Sequence, residues 1–341
     1  MQYNVDYVPV LKWKSGEKES INRLYPDHKN RIMPLIELVD WSNANDIAIE
    51  LGSTFTGPVL VDNLFSIDSK YEFYKDLISA DKTKYLIPVF YIDDLFNNPS
   101  IVNEFNGAAI RLQVPEPLDS LSYKKFFSNL FKVSKSKIII ILDLIFVNDV
   151  QTATLKYTAL QATLSQLHEY TKSISNIVIS STSFPDDLST LEAGGEVKYK
   201  RFEFMLFNKI KDFMESEDLK SKLIYSDYGV NKFTETSIDF SKLQYGVLPK
   251  IKYSTDDFYY VQKAEKDRLN NIYTVSVFDM AKNIVKSSIF YGKDFSYGDS
   301  EIFDRAEGTT KGPGGNTNWV TYTTTHHIAV ILNQLSNPLS A

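Results

Sequence analysis

The chain has 341 residues, of which 43% are hydrophobic, so it can bury a large core and is not a disordered protein. Its 43 acidic and 37 basic residues give a formal charge of -6, which argues against a protein that coats duplex DNA. The absence of cysteine excludes a disulfide scaffold, a thiolate nucleophile and a cysteine-ligated metal site.

Targeting signals and membrane segments are not evident. The N-terminus lacks a basic region followed by a long apolar one, and no uncharged apolar stretch approaches the roughly 18 residues of a membrane span. We therefore expect a cytoplasmic protein without a membrane partner.

Eight short apolar runs predict β-strands that are covered on both faces. Four contain a proline, which we expect at the start of the strand because proline has no backbone N–H. These four are YVPVLKW from 7, RIMPLIEL from 31, GPVLVD from 57 and YLIPVFYI from 85. The others are AAIRLQV from 108, KIIIILDL from 137, NIVISST from 176 and KLIYSD from 222.

The segments between these runs have apolar residues at three- and four-residue spacing, which is typical of amphipathic helices. Examples are GEKESINRLY, YEFYKDLIS, LSYKKFFSNLFKV and TALQATLSQLHEY. Alternation of strand and helix predicts an α/β fold, a (β/α)8 TIM-like barrel over residues 1–244. A doubly wound open sheet is the alternative.

Residues 245–341 predict a small C-terminal α+β addition packed on the barrel. LPKIKYSTDDFYYVQKA and NIYTVSVFDMAKNIV are rich in aromatic and β-branched residues, as strands are. A glycine-rich loop over 308–316 follows, and TTTHHIAVILNQL predicts a closing helix.

Charged residues end several of the predicted strands, and in a barrel these ends meet at one mouth, where active sites are built. Glu37, Arg111 and Asp143 stand inside apolar runs. Burying an unpaired charge costs several kcal/mol, so such residues must be paired, bind a ligand or lie at the rim. The further candidates are Lys12, Lys14, Asp62 and Asp227, with Glu17 in the first turn of the next helix.

Three chemistries fit these residues. Carboxylates such as Glu37, Asp62 and Asp143 are the ligands of Mg2+ or Mn2+, which would suit phosphoester hydrolysis. A lysine Schiff base is a second chemistry.

The third is a basic wall for an anionic small molecule or nucleotide, with a carboxylate as acid or base. That wall would consist of Lys12, Lys14, Arg111 and Lys252. We assign Glu37, Asp143 and Lys12 as catalytic candidates, whereas a plain ion-pair network of Glu37 with Arg111 or Lys12 would be structural.

The tail offers a second constellation. KGPGGNTNW could wrap backbone amides around an anion, while His326 or His327 supplies an imidazole, and we assign His327 to ligand binding as part of a lid. Because adjacent residues of a helix point in different directions, we expect the two histidines not to share a site, and no zinc site is expected.

The opening YVPVLKWKSGEKESI followed by RIMPLIEL resembles the Beta protein family of phages and bacteria, whose members begin with Y-x-P-x-L-K-x-K-x-x-E and then P-L-x-E. GNTNWVTYTTTHHIAVI is similar to that family's C-terminal tryptophan followed by a His-His pair. The matching positions are Lys12, Lys14, Glu17, Pro34, Glu37, Trp319 and His327. The resemblance implies a role in phage–host conflict, as a phage accessory protein or in antiviral defence.

Two classes of function stay open, so the sequence does not decide whether the protein is an enzyme. The first is a charged barrel mouth that binds an anionic small molecule or nucleotide and hydrolyses a phosphoester. The second is a scaffold that binds a protein, or RNA through aromatic and basic residues near Lys252 and Tyr253.

Overall fold

The computed structural model describes residues 3–39, 43–64, 70–115, 120–214, 217–231, 233, 248–310 and 312–337. The chain divides into two compact units. Unit 1 consists of Met1–Trp13, Asn30–Ser183 and Phe202–Tyr228, and unit 2 of Lys14–Lys29, Phe184–Arg201 and Gly229–Ala341. Two segments of unit 2 therefore come from the range predicted as barrel, and the predicted boundary at 244 lies outside the described residues.

Unit 1 is a closed barrel of eight parallel strands, which confirms the predicted (β/α)8 architecture and excludes the doubly wound open sheet. Each of the eight predicted runs supplies one strand. In barrel order they are β1 (Tyr7–Lys12), β2 (Leu35–Leu38), β3 (Val59–Asn63), β4 (Leu86–Phe90), β5 (Ala109–Gln113), β6 (Ile138–Phe146), β7 (Ile174–Thr182) and β9 (Leu223–Asp227).

Helices connect most of these strands along the chain. Those of unit 1 are α3 (Ala44–Thr54), α4 (Lys70–Ala80), α5 (Ile92–Leu95), α6 (Ser120–Val133), α7 (Val150–Leu167), α8 (Phe202–Phe213) and α9 (Glu217–Lys220), with 3-10 segments at Pro99–Glu104 and His168–Ser173. Strands β2, β3, β4 and β7 are buried along their whole length, which explains why they appear in the sequence as continuous apolar runs.

The prolines of the four Pro-containing runs differ in position. Pro34 and Pro58 immediately precede β2 and β3, as predicted. Pro9 and Pro88 lie inside β1 and β4, paired with Asp227 and Val61, so the prediction that they start their strands is wrong. Each proline removes one backbone N–H donor from its strand. The neighbouring residues of the same strand still pair with the adjacent strand of the barrel.

Strand register sets which side chains share the barrel interior. In parallel strands, residues in register point to the same side of the sheet. Lys12 pairs with Glu37, and Glu37 with Asp62, at the carboxyl ends of β1, β2 and β3. Arg111 on β5 pairs with Ile141 on β6, so Asp143 lies two residues further along the same side.

Unit 2 contains helices and two small antiparallel sheets. Its strands are β8 (Glu196–Lys200), β10 (Lys250–Ser254), β11 (Phe258–Lys263), β12 (Glu265–Asp267) and β13 (Ile272–Val275), in the orders β10-β11-β8 and β12-β13. Its helices are α1 (Ser15–Arg23), α2 (Pro26–Lys29), α10 (Val277–Lys286), α11 (Tyr297–Glu307) and α12 (Asn316–Ser336). No helix in the described part of the chain is long and apolar enough to cross a membrane.

Helix α12 is the predicted closing helix, and most of its side chains are buried, including several threonines. Thr321, Thr323 and Thr325 each donate a hydrogen bond from Oγ1 to the carbonyl four residues earlier. These local bonds satisfy polar groups that would otherwise be costly to bury. An uninterrupted polar run can therefore lie in the core of unit 2.

Candidate functional site

Arg111 lies at the centre of a buried charge cluster in the barrel of unit 1, with its side chain only 6% exposed. Its Nη1 donates to Glu37 Oε1 at 2.9 Å and to Asp62 Oδ2 at 2.8 Å. Its Nε and Nη2 both donate to Asp143 Oδ2, at 2.9 and 2.7 Å, and Nη2 also donates to the hydroxyl of Tyr228 at 2.5 Å. All five N–H donors of the guanidinium are therefore used.

The cluster brings together residues from four barrel strands and the turn after a fifth. Glu37, Asp62, Arg111 and Asp143 come from β2, β3, β5 and β6, and Tyr228 directly follows β9. These positions are the carboxyl ends of the strands, where side chains converge in a barrel of this kind. The structure thus places together four of the charged residues that the sequence had singled out.

The cluster has more negative than positive charge. Three carboxylates surround one guanidinium. Asp143 Oδ1 accepts from the backbone N–H of Ile145 at 2.9 Å, but Asp62 Oδ1 is buried and accepts no hydrogen bond from the described residues. An unsatisfied buried oxygen costs roughly 1–3 kcal/mol or more when it is charged. The site is therefore suited to a donor from outside the polypeptide, and an anion would find no donor left on Arg111.

Burial and like charges shift the acid–base properties of the cluster. Burial raises the pKa of Glu37, the Arg111 guanidinium opposes that shift, and Asp62 adds to it. Burial by itself lowers the pKa of Arg111, but Tyr228 and Asp143 outweigh it and the pKa lies well above its ordinary value. Glu37 is thus the carboxyl group of this cluster whose protonated form is favoured by burial.

Sequence reasoning missed four residues that complete this site. The Tyr228 hydroxyl donates to Asp143 Oδ2 at 2.6 Å. The Tyr91 hydroxyl donates to Asp62 Oδ2 at 2.8 Å. Lys70 Nζ lies over the Tyr91 ring, 4.2 Å from the ring centroid. Lys70 in turn pairs with Asp94 at 3.0 Å.

A signal for the two tyrosines was present in the sequence, because Tyr91 stands near the end of the predicted run YLIPVFYI and Tyr228 directly follows the predicted run KLIYSD. Burial raises the pKa of both hydroxyl groups well above the ordinary value, so they act as donors at neutral pH. Lys70 and Asp94 belong to helices, where no pattern distinguished them.

Two further predicted residues lie in the same barrel. Lys12 is the last residue of β1, half-buried and beside Glu37 on the next strand. Asp227 is fully buried and accepts from the hydroxyls of Tyr7 at 2.5 Å and Tyr225 at 2.8 Å. The two tyrosine hydroxyls hold this carboxylate within the barrel wall.

The remaining predicted residues belong to unit 2. Lys14 is exposed, and Glu17 is buried in the first turn of α1, as predicted, with Oε1 3.5 Å from Asn231 Nδ2. Lys252 Nζ donates to the Val230 carbonyl at 2.7 Å. His327 is 1% exposed, and its Nδ1 lies 2.8 Å from the Ser254 hydroxyl.

The two adjacent histidines contact the same residue, so the prediction that they could not share a site is wrong. His326 Nε2 lies 2.8 Å from the Ser254 carbonyl oxygen, and His327 Nδ1 reaches the hydroxyl of that residue. Ser254 offers its backbone carbonyl to one histidine and its side-chain hydroxyl to the other, so two adjacent helix positions contact one strand residue. His326 Nδ1 also lies 2.8 Å from Asp299 Oδ2.

One carbonyl of the glycine-rich loop, that of Pro313, accepts hydrogen bonds from two side chains of unit 2. The Pro313 carbonyl accepts from Arg305 Nε at 3.2 Å and from Trp319 Nε1 at 3.0 Å. Arg305 also binds Glu301 at 2.8 Å. The backbone N–H of Gly315 in the same loop donates to Asn318 Oδ1 at 2.9 Å. The predicted amide cradle for an anion stays a prediction, and Lys311 lies outside the described residues.

Two other predicted chemistries find little support. Tyr253 and Tyr259, expected as stacking residues for RNA, are both 0% exposed in the core of unit 2. Over the described ranges, no group of three or more histidine, aspartate or glutamate side chains could hold a metal ion. In the barrel, the Arg111 guanidinium occupies the centre of the three carboxylates that were expected to bind Mg2+ or Mn2+.

Comparison with known proteins gives the family. The family model described as Beta protein matches residues 7–333, nearly the whole chain. The chain belongs to the Beta protein family. A relative in this family, Protein beta of Enterobacteria phage P4, is 22% identical over 350 residues, which cover 95% of this chain and 92% of the relative. The barrel of unit 1 is thus the scaffold of a Beta protein.

Solved structures were compared as well. An alanine racemase of Clostridium difficile 630 matches 74% of this Beta protein and 60% of its own chain, with 11% identity and a TM-score of 0.37. The catalytic domain of a chitinase from Pyrococcus furiosus matches 66% and 84%, with 11% identity and a TM-score of 0.38.

Proposed function

We propose that the barrel mouth of this Beta protein binds a small polar molecule, and that the protein acts in phage–host conflict through that molecule. The observation that carries the proposal is the composition of the Arg111 cluster. All donors of Arg111 are used, negative charge is in excess, and Asp62 Oδ1 accepts nothing from the described residues. A ligand that presents an O–H or N–H group to Asp62 and Glu37 would satisfy the cluster.

A nucleotide is the ligand class that we favour, because it combines donors with a negative charge. Its ribose hydroxyls or base amino group would face the carboxylates. Its phosphate would lie toward Lys12 of β1, which is in register with Glu37 of β2. An anion placed directly on Arg111 would instead meet the three carboxylates, which repel it. We therefore expect an anionic ligand to bind only with its donor groups toward the carboxylates and its phosphate toward Lys12.

Hydrolysis of a phosphoester in this ligand would need a group that takes up a proton from water. Glu37 is the candidate because burial raises its pKa and because Arg111 fixes its carboxylate. General-base catalysis of this kind contributes typically 10²–10⁴-fold to a rate. Asp143, which binds Arg111 through two nitrogen atoms, would position the guanidinium.

The test is a melting experiment with nucleotides, sugar phosphates and short RNA, each with and without Mg2+ or Mn2+. A ligand at a hundred times its dissociation constant stabilises the fold by about 2.7 kcal/mol. We expect a nucleotide to stabilise the wild type more than inorganic phosphate does at equal ionic strength, and we expect Asp62→Asn to abolish this additional shift. Glu37→Gln should bind the ligand but lose turnover.

Asp81→Asn is the matched control. Asp81 is also a buried carboxylate of unit 1, but it accepts from Thr83 and Leu86 at the amino end of β4, the end opposite to Tyr91. It should shift like the wild type. If no nucleotide shifts the wild type beyond inorganic phosphate, or if folded Asp62→Asn keeps this additional shift and the biological activity, the mouth is not the site and the alternative of a protein-binding scaffold takes its place.

A further inference from the structure

Unit 1 has a pocket of about 310 Å3 at the amino ends of two neighbouring strands. Residues 106–108 line it just before β5 begins, and residues 135–137 just before β6 begins. The charge cluster around Arg111 lies at the carboxyl ends of the strands, so this pocket is a separate feature of the barrel. Its volume falls at the lower end of the range for small-molecule sites, roughly 300–1,000 Å3.

The lining of this pocket is basic. Lys135 and Lys137 are both exposed, and no acidic residue contributes to the lining. Neither lysine forms an ion pair with any carboxylate in the part of the chain that the structure describes. Two ammonium groups thus lie on one small pocket without a carboxylate to neutralise them.

Hydrogen bonds to backbone atoms hold the two segments that line the pocket. The N–H of Lys135 donates to Asn103 Oδ1 at 2.8 Å, and the Ser134 hydroxyl donates to the Ser136 carbonyl at 2.6 Å. The N–H of Ile139 donates to the Ala108 carbonyl at 3.1 Å, which joins the two segments of the lining. The lysines therefore extend from an ordered turn.

Tyr3 supplies a neutral donor to the same pocket. Its backbone is held on both sides by the side chain of Asn176, with both distances 3.0 Å. A Cβ atom added to Gly107 would lie 3.6 Å from the Tyr3 hydroxyl, so that hydroxyl borders the pocket beside Gly107. Burial raises the pKa of Tyr3, which keeps the hydroxyl protonated at neutral pH.

We propose that this pocket binds a small phosphorylated molecule through Lys135 and Lys137, with Tyr3 and Asn106 as neutral donors. A phosphate monoester carries about -1.5 to -2 charge at pH 7, which matches two ammonium groups. Lysine binds phosphate as a point charge, so the site selects charge more than shape. Because active sites of such barrels lie at the opposite end, the bound molecule would be a regulatory or carried ligand.

The test measures binding of inorganic phosphate and glucose 6-phosphate to the full chain, with glucose as the uncharged counterpart and sodium chloride at equal ionic strength. We expect both phosphates to raise the melting temperature of the wild type and glucose to have no effect. The double variant Lys135→Gln/Lys137→Gln should bind at least about tenfold more weakly, and Tyr3→Phe a few-fold more weakly.

The matched control is Lys124→Gln/Lys132→Gln, which removes two exposed lysines of α6. It should bind like the wild type, and so should Asp62→Asn, which separates this pocket from the barrel mouth. No phosphate effect on the wild type, or an equal loss in both double variants, would overturn the proposal, because the lysines would then respond only to bulk ionic strength.

Discussion

Arg111 donates twice to a single oxygen of Asp143, from Nε at 2.9 Å and from Nη2 at 2.7 Å. This two-donor geometry holds the guanidinium plane in one orientation and leaves Nη1 directed at the carboxylates of β2 and β3. A lysine could supply the charge at this position but not the fixed fork of donors. The pair therefore determines the shape of the whole cluster.

Replacement of Arg111 by methionine should destabilise unit 1 by about 3–5 kcal/mol at neutral pH, because it leaves three buried carboxylates without their cation. Urea unfolding followed by fluorescence measures the change. Arg31→Met is the control, since Arg31 pairs with Asp6 at the surface and such pairs contribute about 0–1 kcal/mol. A loss of under 1 kcal/mol for Arg111→Met would contradict the account of the cluster.

The stability of the wild type should fall as the pH rises through the titration of Glu37. Burial raises the pKa of Glu37 in the folded state, so the folded chain binds this proton more tightly than the unfolded chain does. The free energy of unfolding then decreases from the unfolded pKa of about 4.3 up to the folded pKa. Glu37→Gln should remove that decline, which unfolding curves at a series of pH values would show.

Glu301→Gln provides a control of opposite sign. Burial by itself raises the pKa of Glu301, but hydrogen bonds from Arg305 and Tyr322 outweigh it and lower the pKa. Glu301 therefore adds stability above the unfolded pKa, and this contribution disappears as the pH falls through the folded value. Equal pH profiles for the wild type and Glu37→Gln would be incompatible with a raised pKa at Glu37.

His326 presents both of its ring nitrogens to groups of unit 2 that accept hydrogen bonds. Its Nδ1 faces the Asp299 carboxylate and its Nε2 faces the Ser254 carbonyl, and both of these groups can only accept. His326 and the hydroxyls of Ser296 and Tyr253 also counteract burial and lower the pKa of Asp299. His326→Leu should leave the buried Asp299 carboxylate and the Ser254 carbonyl short of a partner, so we expect destabilisation by about 1–3 kcal/mol or more. Urea unfolding measures the change, and a free energy of unfolding equal to that of the wild type would contradict the role of this contact.

Gly298→Ala should disrupt the packing of α11 against α12. A Cβ atom at residue 298 would lie 1.9 Å from the carbonyl oxygen of Tyr322, which is backbone and cannot rotate away. We expect destabilisation by more than about 3 kcal/mol, beyond the usual 0.5–3 kcal/mol of a point substitution. Gly312→Ala, where a Cβ atom would meet nothing within 4 Å, should melt close to the wild type. Similar melting temperatures for the two variants would contradict this contact.

The sequence by itself determined the elements of the barrel and their order. Each of the eight strands corresponds to a predicted apolar run, and helices α1, α4, α6 and α7 to the amphipathic segments named above. These features depend on local periodicity and on burial of both faces of a strand, which leave a direct record in neighbouring residues. Even so, local rules misplaced Pro9 and Pro88, because whether a missing N–H matters depends on pairing between strands.

Tertiary structure alone decided which charges meet. Arg111 binds Glu37 from 74 residues earlier and Tyr228 from 117 residues later, and only closure of the barrel brings these positions together. The sequence identified the charges in apolar runs as residues that needed partners, but not that Arg111 would direct four donors at carboxylates and the fifth at Tyr228. In unit 2, likewise, only folding brought His326 to the carbonyl of Ser254 and His327 to its hydroxyl. Hydrogen-bond partners depend on distances across the fold, and such distances have no local trace in the chain.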